Sequence, residues 1–294
     1  MQKESKLKFG FPIGAWQQDT IELFKATSYG IQFFEETQKI EIDDPEIKCI
    51  LVRPIPMSSF IEKGFLDAGI STEASVMEAK AKVVQICNLE FLKPVLGKTK
   101  IVVAVPNDSP IKSVKDLNRK KIITRAPNIT KTFLKKNNIS AEIIYSDAAV
   151  NEGLVGIVAD AIVEFSKTGN SLKAYNLRVI ETLLESSVIL IANEKVLKNK
   201  WKKEKIEGLG YLLKGARLAQ EMAGLMLHAS NDMMEEVLKV LPALKKPTVT
   251  YLRGENWFDV LTVANKKEIR KLIPRLKKIG CTDIVEFPLN KVVL

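Results

Sequence analysis

Short apolar runs of strand length alternate with segments of helical period along most of the chain, and this alternation restricts the fold more than any other feature. Leu7-Lys8-Phe9-Gly10-Phe11 reads as a strand, followed by a Pro12-Ile13-Gly14 loop and a helix from Asp19 through Lys25. Cys49–Arg53 reads as a second strand, Pro54-Ile55-Pro56 as a loop, Ser58-Ser59 as the cap of a short helix to Lys63, and Phe65–Ile70 as a third strand. The pattern restarts at Thr99–Val105, the most strand-like run. A helix Ser113–Leu117, strand Lys121–Thr124, helix Ile129–Lys136 and strands Glu142–Tyr145 and Val158–Glu164 follow. Ile180–Ala192 supplies further strand, and Trp201–Met222 reads as a helical connector interrupted at Gly208, Gly210 and Gly215. Such alternation predicts two similar lobes, each built on a mostly parallel sheet, with ligands at the carboxyl ends of the strands.

The last 70 or so residues read differently. Gly224–Ala229 is a strand, Ser230-Asn231-Asp232 caps a helix through Leu241, and Thr248–Leu252 with Trp257–Val263 forms a hairpin about Arg253-Gly254-Glu255-Asn256. Asn265 caps a helix to Ile279, Gly280 stops it, and Asp283–Phe287 closes the unit. The order βαββαβ is that of a ferredoxin-like domain. The expected fold class is therefore α/β: a two-lobe, periplasmic-binding-protein-like core plus a C-terminal ferredoxin-like domain. Residues 1–98 and 180–215 are expected in lobe I, 99–179 in lobe II, and 220–294 in the small domain.

Composition removes several chemistries. A chain of 294 residues is about two domain lengths, and it has one histidine, His228, and three cysteines, Cys49, Cys87 and Cys281, with no C-x-x-C spacing. No zinc cluster can be drawn from them, and His228 lies in the apolar stretch Leu225–His228, away from any nucleophile-elbow pattern. Unpatterned cysteines suit a reducing compartment, the opening Met1–Lys6 is not a signal peptide, and the apolar runs are too short to span a bilayer, so a cytoplasmic protein without membrane contact is expected. The net charge of +10 fits nucleic acid, an acidic surface or small anions equally. The cluster Lys195–Lys205 is read as a solvated helix face, since no nucleic-acid motif accompanies it.

Two glycine motifs fail as phosphate loops. Gly97-Lys98-Thr99 has Leu92 where the first glycine of a P-loop belongs, and Gly208-Leu209-Gly210 has Leu213 where its third belongs. The stretch Ala159–Leu172 fits better. An apolar strand delivers Glu164, and then Thr168, Gly169, Asn170 and Ser171 form a hydroxyl-bearing turn into a helix at Leu172. Backbone N–H groups at such a turn can cradle a phosphate while the carboxylate accepts hydrogen bonds from sugar hydroxyls. On pattern alone an ordinary strand-to-helix turn with capping residues fits as well.

The stretch Ala159–Leu177 resembles the phosphoribosyl pyrophosphate (PRPP) loop of the ATP phosphoribosyltransferase family, A-D-A-I-V-D-x-x-x-T-G-x-T-L-x-x-N. Other segments follow in the family's order: Arg53 with Ile55-Pro56, Gly64–Ile70, Ile101–Pro106, Thr124–Thr130, Leu183–Asn193, Leu241–Val249 and Phe287–Val292. The last two match the long form, which carries a C-terminal regulatory domain. The resemblance implies transfer of the phosphoribosyl group from PRPP to N1 of ATP with Mg²⁺ bridging the phosphates, the first step of histidine biosynthesis. It also implies a homo-oligomer, a hexamer, with histidine as feedback inhibitor. It assigns Glu164 to the ribose hydroxyls, Thr168–Ser171 to the 5′-phosphate, Gly14, Arg53, Gly69 and Thr130 to the nucleotide, and His228 and Thr248 to the regulatory ligand.

The chain departs from the family pattern at its loops. Pro12-Ile13-Gly14-Ala15 stands where the family has P-K-G-R, Gly69-Ile70-Ser71-Thr72-Glu73-Ala74 where it has G-I-T-G-x-D, and Asn151 where it has a glutamate. Glu164 and Ser171 replace Asp and Thr. Two missing cations are expected to weaken anion binding by about 1.5–3 kcal/mol each unless Lys98, Lys100 or Lys167 replaces them. These departures motivate two alternatives: a paralogue that binds ligand without transfer, or a phosphoribosyltransferase with another acceptor.

Overall fold

The computed structural model describes residues 6–89, 99–148, 150–244, 246–254 and 256–294. Two compact units divide them. One holds the residues up to Lys25 with Tyr29–Gly210, and the other holds Ala26–Ser28 with Tyr211–Leu294.

In the first unit the chain begins with β1 (Leu7–Pro12), α1 (Gln17–Ala26), a hairpin of β2 (Ile31–Phe34) and β3 (Lys39–Ile42), and β4 (Ile47–Val52). It continues through α2 (Pro54–Glu62), β5 (Ala68–Thr72), α3 (Glu73–Ala79) and β6 (Val84–Asn88). Next come β7 (Thr99–Pro106), β8 (Lys121–Thr124), α4 (Pro127–Lys136), β9 (Glu142–Tyr145), β10 (Ala161–Ser166), α5 (Asn170–Ala174), β11 (Leu177–Ser186), β12 (Val188–Ala192) and α6 (Lys200–Ala219). Two five-stranded sheets result, ordered β4-β1-β5-β12-β6 and β11-β7-β10-β8-β9.

The two sheets follow one plan. Three neighbours run parallel in each, β4-β1-β5 and β10-β8-β9, and the fourth strand is reversed. The reversed strand is the one by which the chain enters the sheet from the other lobe: β7 after β6, and β12 after β11. The expected mostly parallel sheets therefore each carry one antiparallel strand. The expected boundary at 180 also moves, because β11 stays paired with β7 through Ser186, and the chain crosses back between Ser186 and Val188.

Local chemistry accounts for other differences. Pro54 and Pro56 form the first turn of α2 rather than a loop, since a proline there removes an N–H that has no helical partner; Ser58 lies inside the helix and donates to the Pro54 carbonyl. Helix α6 is continuous through its glycines. A Cβ at Gly210 would lie 3.3 Å from Ile86 and 3.5 Å from Leu190, so this glycine lets the helix approach the first sheet. Aromatic packing of Phe9 and Phe11 against Phe24, with ring centroids 5.7 and 5.4 Å apart, fixes α1 on β1. In the second sheet Ala161, Val163 and Phe165 face one apolar cluster and Ile162 the other, so the next residue on the Ile162 side is Glu164.

The second unit adds β13 (Met222–Ser230), α7 (Met234–Val240), β14 (Thr248–Tyr251), β15 (Trp257–Asn265), α8 (Lys266–Ile279) and β16 (Thr282–Pro288). Its sheet order, β14-β15-β13-β16, is antiparallel throughout and ferredoxin-like. Asn265 caps α8 by accepting from the Lys267 N–H at 2.9 Å. Leu225, Leu227, Ala229 and Val260 face the cluster that includes residues of α7 and α8, which leaves His228 and Asp259 on the other face of the sheet.

Candidate functional site

The parallel strands of the two sheets bring their carboxyl-terminal loops together inside the first unit. From lobe I come the turn after β1, residues Ile13–Trp16, and Arg53 after β4. From lobe II come Arg125 after β8, Asp147 after β9, and Lys167–Gly169 after β10. Contacts cross between these loops. The Arg53 guanidinium lies 2.8 Å from an Asp147 carboxylate oxygen, and the Lys167 ammonium donates to Asp19 at 2.5 Å and to the Ala15 carbonyl at 3.2 Å. A third link is buried: the Glu78 carboxylate of α3 accepts from the backbone N–H groups of Asn128 and Ile129, at 3.0 and 2.9 Å, where α4 starts. An acid there meets the positive end of the helix dipole.

Glu164 is only 4% exposed. Arg125 Nε lies 3.1 Å from Glu164 Oε2, Asn151 Nδ2 donates to the same oxygen at 3.4 Å, and the Phe165 N–H donates to Oε1 at 2.9 Å. Burial raises the pKa of this carboxyl, against the opposing pull of Arg125 and the Phe165 N–H; neighbouring Glu152 adds to the rise. Asn151 is fully buried and its Oδ1 has no hydrogen-bond partner. The glutamate-to-asparagine departure thus places a neutral donor beside Glu164, where a second acid would repel it.

The turn after β10 is the open part of the site. Gly169 adopts φ +75°, a conformation costly for residues with a Cβ, and it caps α5. A Cβ built there meets nothing within 4 Å. Thr168, Asn170 and Ser171 are exposed, and the Thr168 hydroxyl accepts from the Asn170 N–H at 3.3 Å. Gly14, at φ +93°, turns the opposite loop in the same way.

The remaining expected positions separate. Arg53 lies at the mouth, ion-paired to Asp147. Thr130 is fully buried and its hydroxyl donates to the Ala126 carbonyl at 2.8 Å within α4, and Gly69 is packed against the Gly10 backbone, where a Cβ would meet the Gly10 oxygen at 2.8 Å. Both have packing roles, Thr130 in the helix and Gly69 in the sheet. Of the three substitute lysines, Lys167 reaches the first loop, Lys100 lies 3.5 Å from Glu185 on β11, and Lys98 falls outside the described residues. In the second unit the His228 ring pairs with Asp283 at 3.1 Å, with Asp259 3.9 Å away, and Thr248 is exposed on the edge strand β14. Sequence reasoning passed over Glu78, Asp19 and Asp147, because each partner is distant along the chain.

Among the described residues no helix is long and apolar enough to cross a membrane. Two α/β lobes with opposed carboxyl-end loops, followed by a ferredoxin-like domain, define a two-lobe α/β protein with an appended small domain. The family model for ATP phosphoribosyltransferase matches residues 53–215, and the model for the C-terminal domain of that family matches residues 219–291. ATP phosphoribosyltransferase of Thermodesulfovibrio yellowstonii is 41% identical over 291 residues, covering 99% of both chains, and that of Pelotomaculum thermopropionicum is 38% identical over 288 residues, covering 98% and 99%. A solved ATP phosphoribosyltransferase (HisG:HisZ) complex from Thermotoga maritima shares the fold, with TM-score 0.56 and 21% identity over 71% of this chain and 96% of that one. The chain belongs to the ATP phosphoribosyltransferase family.

Proposed function

We infer that this chain is an ATP phosphoribosyltransferase that joins N1 of ATP to C1′ of PRPP, releases pyrophosphate and so begins histidine biosynthesis. The observation that carries the reading is the match of both family models in sequence along the chain, with full-length relatives of that name. The β10–α5 turn gives the reaction its place. The bond from C1′ to the pyrophosphate oxygen breaks with its electron pair leaving on oxygen, and a bond from C1′ to N1 forms. N1 of adenine brings a lone pair and no proton, so no histidine or other base is required, and catalysis rests on positioning and on charge stabilisation.

In this reading Glu164, held in place by Arg125, Asn151 and its own strand, accepts hydrogen bonds from the ribose hydroxyls. Thr168, Gly169, Asn170 and Ser171 receive the 5′-phosphate through hydroxyls and backbone N–H groups. Gly14 and Arg53, on the lobe I side, face the nucleotide. Mg²⁺ would enter with the substrates, on their phosphates, and would supply charge neutralisation there. Histidine would act on the ferredoxin-like unit, in a homo-oligomer, near His228 and Thr248. The pairing of His228 with Asp283 makes exposed Thr248 the more accessible contact.

Incubation with ATP, PRPP and Mg²⁺, followed by the ultraviolet change on N1 substitution and by pyrophosphate release, tests the reading. Product with equimolar pyrophosphate is expected. Neither product nor pyrophosphate from folded protein overturns it.

A further inference from the structure

The β1–α1 and β10–α5 turns, which meet across the two lobes, contribute a single cation between them. No Lys or Arg lies between Lys8 and Lys25, which removes charge from the whole β1–α1 turn, and the turn from Phe165 to Leu172 contains only Lys167. Lys167 immediately precedes Thr168-Gly169, yet its ammonium sits on the opposite loop. It donates to the Ala15 carbonyl at 3.2 Å and to Asp19 Oδ2 at 2.5 Å, and it lies 4.5 Å from the centroid of the Trp16 ring. Its side chain is 15% exposed. Ala15 is the residue that stands in the arginine position of the P-K-G-R pattern, so the structure returns a positive charge to the place where the sequence lost one.

Resting on the function inferred above, we propose that Lys167 is the diphosphate-binding cation of this enzyme and takes the pyrophosphate group of PRPP at the junction of the two loops. Asp19 is its resting counter-ion. A diphosphate entering beside Thr168 competes with Asp19 for the ammonium, and Trp16 holds the alkyl stem and head group in place while the partner changes. A lysine suits such an exchange because its ammonium is a point charge with rotatable donors and needs no fixed planar geometry. The triphosphate of ATP shares the phosphoanhydride chemistry of the PRPP diphosphate, so the source is decided by measurement.

The test is calorimetric titration of the full chain, in Mg²⁺, with PRPP, ATP and inorganic pyrophosphate separately. Wild type is compared with K167M, K167R and D19N, with melting curves confirming that each variant is folded. K167M is expected to weaken PRPP and pyrophosphate about 10- to 100-fold with ATP little changed, as for one charge-assisted contact. K167R should recover most of the loss. D19N should tighten PRPP several-fold, since it removes a carboxylate that both competes and repels. A purely structural tether predicts the opposite for D19N, because breaking the bridge from either side would then weaken binding alike. K167M equal to wild type, K167M and D19N weakening together, or a loss confined to ATP overturns the proposal. Wild-type protein that makes product while K167M binds PRPP normally overturns this inference alone. Protein that binds pyrophosphate through Lys167 and makes no product overturns the transferase reading alone.

Discussion

Strand β10 and the turn after it are adjacent in the chain and differ in how far the fold already occupies their polar groups. Both Glu164 oxygens have partners, from Arg125, Asn151 and the Phe165 N–H, and the residue is buried. Thr168, Asn170 and Ser171 are exposed, and around Gly169 there is open space. The strand supplies a carboxylate whose orientation is set before substrate arrives, and its desolvation is a standing cost to the fold. The turn supplies donors that cost little in the free protein and gain their partner from the ligand. Preorganised charge beside an open cradle is the arrangement that a reaction depending on position and electrostatics requires.

The largest expected effect falls on the turn. Gly169→Val forces a β-branched residue into the left-handed region and displaces the cradle. A fall in kcat/KM of about 100-fold or more is expected, since misplacement by about 1 Å reaches that size. Steady-state kinetics measures it, and because a Cβ at this position meets nothing within 4 Å, the stability loss should stay near the backbone strain of about 1–2 kcal/mol and leave the variant folded. Equal activity in the valine variant would remove the turn from the site.

Glu164→Gln comes next and separates activity from stability. Loss of the charged acceptor should lower kcat/KM about 10- to 100-fold, the size of one hydrogen bond to a charged group. Its stability effect has a defined sign. Because burial raises the Glu164 pKa in the fold, the folded state holds that proton to higher pH than the unfolded state does. The favourable contribution is complete below the unfolded carboxyl range and is lost as pH rises through the folded value. The glutamine variant lacks this loss, so denaturation midpoints compared with wild type should shift in its favour as pH rises above the ordinary carboxyl range of about 4. A shift toward wild type as pH rises would mean that the ion pair with Arg125 outweighs burial.

Glu78→Gln examines a carboxylate that serves structure alone. It keeps an amide oxygen for one α4 N–H group, turns its NH2 toward the other and removes the charge, and a loss of about 1–3 kcal/mol in urea denaturation is expected, with PRPP affinity unchanged. The smallest effect is a gain. Gly208→Ala, in α6 with nothing within 4 Å of the new Cβ, should stabilise the chain by about 0.5–1 kcal/mol without altering turnover.

The parts of this picture that depend on local sequence were legible. Periodicity and capping located the ferredoxin-like unit with its Asn265 cap, and the β10–α5 turn was marked by a carboxylate and a glycine at fixed offsets. Pro54 and Pro56 misled because proline marks both a loop and the first turn of a helix. The β2–β3 hairpin went unrecognised although Ile31–Phe34 and Lys39–Ile42 are strand-like runs. The glycines of α6 resembled breaks because their reason, in the case of Gly210, is contact with Ile86 and Leu190 more than 100 positions and about 20 positions away. Long-range pairing could not be read at all. Lys167 and Asp19 are separated by 148 positions, Arg53 and Asp147 by 94, and Glu78 and Asn128 by 50. Only the two-lobe topology, with parallel strands pointing their loops at one another, makes these residues neighbours.

Amide hydrogen exchange of the full chain with and without PRPP and Mg²⁺ tests the central contrast most directly. The β10 amides Ala161–Phe165, flanked by β7 and β8, should be protected in both states. New protection should appear at Lys167–Ala174. Protection that leaves those amides unchanged at saturating PRPP, or that arises only elsewhere in the chain, would contradict the placement of the sugar phosphate at this turn.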